Sequence, residues 1–234
     1  MNIIVTGTSQ GIGSELVKEF CRRMKSGKIY CATRSFSKFS TLKKQCASIN
    51  KKIVLVPLVD AEGVDFNDVK ENKQIGAKEK IDILINNAAA LINKPFEKIT
   101  DGEFTETYRV NVFHPWKAIR VVLPHLKKGS HIVNISSMGG MLGTLKFKGL
   151  SAYSSSKGAL AILTECLAEE FKSKGIAVNC LALGAVQTEM LKRAFPKYKA
   201  PVTAKEMASF IADFAMSGNK YYNGKVIPVS RTTP

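Results

Sequence analysis

Short β-branched runs alternate along the chain with longer segments in which apolar residues recur every three or four positions. Most of the runs are apolar throughout, which is typical of strands buried on both faces of a parallel sheet. The strand candidates are residues 2–6, 28–33, 52–59, 80–86, 131–136, 176–183 and 225–230. Because strands and helical segments alternate, we expect an α/β, doubly wound fold whose mostly parallel seven-stranded sheet carries helices on both faces.

Helix starts and a bend in one helix can also be predicted from the sequence. Two capping boxes mark helix starts, and these are Thr100 with Glu103 and Thr203 with Glu206. Proline cannot donate a helical hydrogen bond, so Pro115 is expected to bend the long helical segment 101–128. No composition break divides the chain, and we therefore expect one domain over residues 1–234.

The charge of the chain restricts its partners. Lysine and arginine number 35 against 19 acidic residues, which gives a net charge of +16. Such a charge attracts anions, including a phosphorylated cofactor, an acidic carrier protein or nucleic acid. The lysines are dispersed along the chain and form no aromatic-interleaved nucleic-acid motif, which argues against a dedicated nucleic-acid site.

Other classes of protein are disfavoured by what the sequence contains. No apolar run approaches the roughly 18 residues that a membrane span needs, and the first residues lack a signal-peptide pattern. Five scattered cysteines and three histidines show no metal-ligand spacing. We therefore expect a cytoplasmic protein with reduced thiols, no structural metal and no membrane contact.

A glycine-rich stretch, TGTSQGIG at 6–13, lies between the first strand and the first amphipathic helix. Gly7 would allow a tight turn, Gly11 would let the backbone approach a pyrophosphate, and Gly13 would let the helix pack on the strand. The N-terminus of the helix would supply free N–H groups to the anion. This placement predicts a Rossmann-like nucleotide-binding turn.

A tyrosine and a lysine stand four residues apart in YSSSK, residues 153–157. If the segment is helical, Tyr153 and Lys157 share one face and lie one turn apart. Such a pair is often only a solvated contact. In this position it is also a candidate proton donor, because a neighbouring ammonium favours the ionised phenol.

The order of these motifs resembles the short-chain dehydrogenase/reductase family. The motifs in chain order are TGTSQGIG (6–13), Asp60, NNAA (86–89), Asn111, NISS (134–137), YSSSK (153–157), VNCLALGAVQTEM (178–190) and GKVIPV (224–229). The resemblance implies that Tyr153 is the general acid or base and that Lys157 lowers its pKa. It further implies that Ser137 steadies the substrate oxygen and that Asn111 anchors a proton-relay water.

The same resemblance implies a set of cofactor-binding residues. They are Gly7, Ser9, Gln10, Gly11, Ile12, Gly13, Arg34, Asp60, Asn87, Ala88, Tyr153, Lys157, Gly184, Val186 and Thr188. An acidic residue after the second strand would repel a 2′-phosphate, whereas this chain has Thr33 and Arg34 there. A guanidinium suits phosphate, so we expect NADP(H) rather than NAD(H).

The chain departs from the family pattern in the substrate region. Ser137 and Tyr153 are 16 residues apart, about three more than the family usually shows, and the extra length lies in the 138–150 loop. The substrate-loop region at about 189–202 is too short for a large lid. Expected pocket liners are Met190, Leu191, Phe195 and either Met141 or Leu142, which favours a small or apolar substrate in an open cleft.

The resemblance leads to three functional hypotheses. The first is an NADP(H)-dependent oxidoreductase that interconverts a carbonyl and a secondary alcohol. The second is a reductase of 3-oxoacyl chains on an acyl carrier protein, which the positive charge would suit. The third is a non-catalytic NADP(H)-sensing regulator, although a sensor has no need of the serine, tyrosine and lysine together. The family habit also implies a homo-oligomer, a dimer or tetramer.

Overall fold

A computed structural model of the chain describes residues 1–58 and 74–231. In this part of the chain seven parallel strands form one sheet in the order β3-β2-β1-β4-β5-β6-β9. The strands are β1 (Asn2–Thr6), β2 (Gly27–Ala32), β3 (Ile53–Leu58), β4 (Ile81–Asn86), β5 (Leu126–Ser137), β6 (Ala177–Leu183) and β9 (Val226–Val229). The predicted fold class is confirmed. That residues 1–234 form one domain stays a prediction.

Helices cover both faces of this sheet. They are α1 (Gly11–Arg23), α2 (Phe36–Ile49), α3 (Asp101–Tyr108), α4 (His114–Val122), α5 (Ser151–Glu170), α6 (Glu189–Ala194) and α7 (Ala204–Ser217). A second, two-stranded sheet pairs β7 (Val186–Gln187) with β8 (Val202–Thr203). Both predicted capping boxes are present, at the starts of α3 and α7.

The core has two layers because successive strand residues point to opposite faces. Ile3 and Val5 of β1 belong to the layer that packs on α1, α2 and α7. Ile4, between them, belongs to the layer that packs on α4 and α5. Each strand is therefore apolar on both faces, which explains the unbroken apolar runs in the sequence.

The sheet reverses its strand order beside β1. From β1 the chain builds outward to β2 and β3, and from β4 it builds in the other direction to β5, β6 and β9. The carboxyl ends of β1 and β4 therefore diverge at a crevice. In open α/β sheets, ligands bind in such a crevice.

One sequence expectation about these elements is wrong. The helical segment does not continue to residue 128, because α4 ends at Val122 and β5 already begins at Leu126. Leu126 pairs with Ile81 at the start of β4, so strand pairing overrides helical spacing there. The segment 101–128 is also interrupted before Pro115, by a π-helical turn at Arg109–Phe113.

Candidate active site at the carboxyl edge of the sheet

A cleft of about 920 Å³ opens at the carboxyl ends of the strands. One end lies at the glycine turn and Arg34, and the other is lined by Phe147 and Phe195. Of the predicted site residues that the structure describes, all except Gly13 and Asn111 line this cleft. Asp60 lies outside the described residues. The structure thus brings together residues from the carboxyl ends of five strands, β1, β2, β4, β5 and β6, and from helices α1 and α5.

The glycine turn is built so that little but glycine fits. Gly7 and Gly11 have positive φ angles of 73° and 59°. A Cβ on Gly7 would lie 2.8 Å from Ala88 Cα, and one on Gly13 would overlap the Gly7 carbonyl oxygen. Gly13 therefore stands behind the turn and sets the packing of α1 on β1, as the sequence predicts.

The N-terminus of α1 is open to an anion. Gln10, at its N-cap, gives the first turn no side-chain hydrogen bond within the described part of the chain. Its Oε1 instead accepts from Lys38 Nζ at 3.0 Å. The free N–H groups and the positive end of the helix dipole suit a pyrophosphate, so these residues fit a dinucleotide cofactor.

The residues after β4 hold this turn in place. The backbone N–H groups of Asn87 and Ala88 both donate to Thr6 Oγ1 at 2.9 Å. Asn87 Nδ2 donates to the carbonyl oxygens of Thr6 and Gly7, at 2.9 and 3.4 Å. The Asn87 side chain therefore supports the glycine turn while Asn87 and Ala88 form part of the cleft wall.

Helix α5 carries Tyr153 and Lys157 on the face that borders the cleft. Lys157 Nζ lies 5.9 Å from the centre of the Tyr153 ring and donates to the Ile135 carbonyl oxygen at 2.8 Å. Lys157 is only 2% exposed. The expected helical pairing of phenol and ammonium is present, with the ammonium below the ring.

The two neighbouring serines of NISS face different directions. Ser136 is buried, and its Oγ donates to the Lys157 carbonyl oxygen at 2.8 Å. Ser137 lines the cleft, and its hydroxyl hydrogen-bonds to Tyr153. The geometry therefore places Ser137 beside the phenol, while Ser136 ties β5 to α5.

A ladder of polar side chains fixes α5 against the sheet. Asn86 Nδ2 donates to Asn134 Oδ1 at 2.8 Å, and Asn134 Nδ2 donates to Thr164 Oγ1 at 2.9 Å. These three side chains belong to β4, β5 and α5. Sequence reasoning gave Asn134 and Thr164 no role, although a buried asparagine in a strand is a signal that such a partner exists.

Asn111 lies behind the cleft wall, fully buried in the π-helical turn. Its Nδ2 donates to the Ala90 carbonyl oxygen and to Ser156 Oγ, both at 2.9 Å. Its Oδ1 accepts from the Ala90 N–H at 2.8 Å. Pro115 follows four residues later and has no N–H to donate to the Asn111 carbonyl oxygen. The side chain is thus an anchor, and the main-chain oxygen lacks its usual helical donor.

Burial shifts the pKa values of the two candidate catalytic groups in opposite directions. It raises the pKa of Tyr153 to about 12, and the hydrogen bond with Ser137 opposes this rise. It lowers the pKa of Lys157 to about 8, because the buried ammonium loses its hydration. Without a cofactor the tyrosine is therefore a neutral proton donor at pH 7.

The burial of Lys157 predicts a measurable pH dependence. Between about pH 8 and the ordinary pKa of 10.5, the unfolded chain holds one proton more at this lysine than the folded protein. The free energy of unfolding of the wild type, relative to Lys157→Met, should therefore rise by about 1.4 kcal/mol per pH unit. Urea unfolding of both proteins between pH 7 and 11 measures this difference.

Both proteins retain Tyr153 and the other titrating groups, so the subtraction removes the contributions of groups distant from the lysine. Below about pH 10 it reports Lys157, because its neighbours Cys180 and Tyr153 have pKa values of about 11 and about 12. A difference that stays flat across this pH range would show that Lys157 is hydrated in the folded protein. A difference that falls with pH would show that a partner raises its pKa.

An ion pair borders the Arg34 end of the cleft. Arg109 donates to both carboxylate oxygens of Glu106, at 2.5 and 2.7 Å, and its Nη1 lies 2.8 Å from His114 Nε2. The hydrogen bonds from Arg109 lower the pKa of Glu106, and Arg34 adds a weaker electrostatic effect. The Glu106 carboxylate is therefore already paired with Arg109, and the Arg34 charge remains available to a ligand. Sequence reasoning missed this pair.

The residues that line the Phe147 and Phe195 end of the cleft, where the sequence analysis places the substrate, differ in part from the expected set. Met190, Leu191 and Phe195 line it as expected, but Met141 and Leu142 do not. Leu142 is 95% exposed. Thr144 Oγ1 donates to the Met141 carbonyl oxygen at 2.9 Å, which closes the loop on itself and turns Leu142 outward. The loop contributes other residues to the wall, and these are Met138, Gly139, Phe147 and Leu150.

Comparison with known proteins gives the family. The model of the family described as short chain dehydrogenase matches residues 1–199. Carbonyl reductase (NADPH) 2 of Sus scrofa is 30% identical over 193 residues, which cover 81% of this chain and 73% of that protein. The uncharacterized oxidoreductase YhxC of Bacillus subtilis is 37% identical over 137 residues, and these span 58% of this chain and 45% of YhxC.

The fold is shared with solved structures. The crystal structure of a dehydrogenase/reductase from Sinorhizobium meliloti 1021 superposes with a TM-score of 0.84 at 25% identity. The superposition covers 98% of this chain and 93% of that one. Together with the family-model match, this likeness shows that the chain belongs to the short chain dehydrogenase family of oxidoreductases.

Proposed function

We propose that the protein interconverts a carbonyl and a secondary alcohol with NADP(H). The observation that carries this proposal is the placement of Ser137, Tyr153 and Lys157 together in the wall of a cleft that begins at the glycine turn. The name of the pig relative, a carbonyl reductase that uses NADPH, supports the same chemistry.

In this proposal each residue of the site has a separate role in protonating the carbonyl oxygen of the substrate. A bound nicotinamide nucleotide would supply the hydride. Tyr153 donates its phenolic proton to the oxygen, and Ser137 donates a hydrogen bond that orients it. The Lys157 ammonium stabilises the tyrosinate that remains. The carbonyl oxygen of Asn111 accepts a hydrogen bond from a water that returns a proton through Lys157.

The glycine turn, the open N-terminus of α1 and the residues after β4 would hold the nucleotide. The remaining wall residues of the predicted set are Ser9, Ile12, Gly184, Val186 and Thr188. The Thr188 hydroxyl accepts from the Leu191 N–H at 3.2 Å as the N-cap of α6, so its own proton remains available to donate. Gly184 is needed at its position, because a Cβ there would overlap the Ser230 hydroxyl.

The cofactor preference follows from the Arg34 end of the cleft. Arg34 is exposed there, and the nearby carboxylate of Glu106 is engaged by Arg109. Arg34→Ala should weaken NADPH binding by about tenfold or more, since a charge-assisted hydrogen bond contributes about 1.5–3 kcal/mol. Titration of wild type and variant with NADPH and with NADH measures the effect.

The control is Lys43→Ala, which removes an exposed cation on α2 away from the cleft. It should change neither affinity by more than about twofold. Equal losses of NADPH and NADH affinity in Arg34→Ala would mean that Arg34 stacks on the adenine of either nucleotide, and the NADP assignment would then be wrong.

The activity itself is tested by the absorbance of reduced nicotinamide in the presence of a panel of ketones and aldehydes. Turnover with NADPH that requires Tyr153 supports the proposal. Tight NADPH binding without turnover of any carbonyl would favour the sensing regulator instead.

A second candidate is reduction of 3-oxoacyl chains on an acidic acyl carrier protein. The observation in its favour is the net charge of +16, which would attract such a carrier. A much higher kcat/KM for a carrier-bound 3-oxoacyl group than for the same group on a short thiol would identify this activity.

We also propose a homo-oligomer that forms through α3, α4 and α5. Apolar side chains on these elements and the π-helical turn stay exposed in the single chain, and they are Phe104, Phe113, Trp116 and Ile162.

The cytoplasmic location remains a proposal. None of the helices in the described part of the chain combines the length and the apolar character that a membrane span requires.

A further inference from the structure

Two segments of the chain form the mouth of the cleft at its substrate end. The first is the 138–150 loop and the second is residues 189–199, which include α6. Phe147 of the first and Phe195 of the second pack edge to face, with ring centres 6.4 Å apart. Both rings line the cleft. A substrate that reaches the phenol of Tyr153 therefore passes an apolar wall.

A short neighbouring stretch fixes these two segments in place. Asn93 Nδ2 donates to the Ala194 carbonyl oxygen at 2.8 Å. The Lys94 N–H donates to the Gly149 carbonyl oxygen at 3.0 Å. Residues 93 and 94 thus connect to both segments, so the mouth is a built feature whose side chains have defined positions.

The mouth carries a marked excess of positive charge. Its two segments hold six cationic side chains and a single carboxylate, that of Glu189. The six are Lys146, Lys148, Lys192, Arg193, Lys197 and Lys199. None of them forms an ion pair with a carboxylate that the structure describes. Lys146 Nζ donates to main-chain carbonyl oxygens at Met141 and Thr144, which leave its charge in place.

Arg193 is the one of these six cations that lines the cleft, and the Glu189 carboxylate, in the first turn of the same helix, lines it as well without pairing to a described cation. Arg193 lies in the last turn of α6, between the wall residues Met190 and Phe195. A guanidinium presents paired N–H donors that match a carboxylate or phosphate, and it is less strongly hydrated than an ammonium. Beside an apolar wall, such a group is suited to hold an anion at the edge of a binding site.

We propose that the substrate is a carbonyl compound with an oxyanion at its far end, held by Arg193. An apolar segment joins the two groups and lies against Phe147 and Phe195. The oxyanion is a carboxylate or a phosphate, because the guanidinium recognises the two alike. The inference rests on the proposed oxidoreductase function and adds the class of substrate to it. The other five cations increase the rate at which such an anion reaches the mouth.

The test uses methyl-ketone carboxylic acids of increasing chain length, each paired with its neutral methyl ester. One chain length should give an acid that the wild type reduces with NADPH at least about tenfold better in kcat/KM than its ester. The oxoalkyl phosphate of that length then shows which of the two oxyanions the site prefers. An acid-to-ester ratio near one at every length would overturn the proposal.

Three variants assign the preference to one side chain. Arg193→Ala should lower the acid-to-ester ratio to below about threefold, whereas Arg193→Lys should keep part of it. Lys192→Ala is the matched control, because it removes the neighbouring cation on the same helix, which does not line the cleft. The control should leave the ratio within about twofold of wild type at physiological salt. Equal losses in the two alanine variants would mean that Arg193 makes no specific contact.

Binding measurements separate this inference from the proposed activity. Calorimetric titration of the NADP⁺ complex with the product hydroxy acid should show affinity that depends on Arg193. The same dependence without turnover of any ketone would support the anion site and refute the oxidoreductase function. Turnover of acids and esters at equal rates would support the oxidoreductase function and refute the anion site.

Two other outcomes would overturn the inference. If Arg193→Ala weakens NADPH binding by tenfold and leaves the acid-to-ester ratio unchanged, the arginine serves the cofactor. If only acyl groups on an acidic carrier protein are reduced, and free oxo acids are not, the cationic mouth is a docking surface for that protein.

Discussion

Tyr153→Phe should lower kcat by about 10²- to 10⁴-fold, which is the usual contribution of a positioned general acid. The variant lacks only the phenolic oxygen, and the ring that lies above Lys157 Nζ is retained. Ser137 keeps the Gly139 N–H as a partner at 3.3 Å. Steady-state turnover of any accepted carbonyl with NADPH measures the effect, and NADPH affinity should stay within about twofold of wild type.

Tyr221→Phe is the control for this change, because Tyr221 is 79% exposed and lies outside the cleft. It should turn over at the wild-type rate. If Tyr153→Phe retains more than about a tenth of the wild-type kcat, the proton comes from another group or from water.

Gly13→Ala should damage both the fold and the nucleotide site. The new Cβ would overlap the Gly7 carbonyl oxygen and lie 2.7 Å from Asn87 Nδ2. The first contact is with backbone, so the glycine turn itself must shift. We expect the free energy of unfolding to fall by about 3 kcal/mol, at the upper end of overpacking effects. A displacement of about 1 Å in the turn can also lower kcat/KM for NADPH by about 10²-fold.

Gly102→Ala is a matched control in the first turn of α3, where no described atom outside the adjacent residues and the helix's own backbone lies within 4 Å of the added Cβ. Its free energy of unfolding should change by less than about 1 kcal/mol. Urea unfolding and NADPH titration of both variants test the pair. If Gly13→Ala leaves both the free energy of unfolding and the NADPH affinity unchanged, α1 can move away from β1 at little cost, contrary to the close packing described above.

Features with a local physical cause could be predicted from the sequence. The capping boxes at Thr100 and Thr203 form because a threonine and a glutamate three residues on satisfy each other's backbone donors. The glycine turn at 7–13 could be placed for a similar reason, since its position between a strand and a helix requires residues without a Cβ.

Features that depend on distant pairing could not be predicted. The start of β5 at Leu126 depends on the register with Ile81, which no local pattern in LKKGS reveals. The outward turn of Leu142 depends on the hydrogen bonds that Thr144 makes to earlier carbonyl oxygens of the loop. The pairing of Glu106 with Arg109 could have been predicted from their three-residue spacing on a helix, but its position in the cleft wall could not.

Asn111 has two separate roles in the proposed site, one for its side chain and one for its main-chain carbonyl oxygen. All the hydrogen-bonding groups of its side chain are engaged by Ala90 and Ser156, while its carbonyl oxygen loses a helical donor because Pro115 follows. Side-chain mutagenesis at position 111 therefore perturbs only the anchor and leaves the candidate water acceptor in the chain. Isotope-edited infrared spectroscopy of that one carbonyl would observe the acceptor directly, because a ¹³C label changes the vibration of the amide without altering any contact.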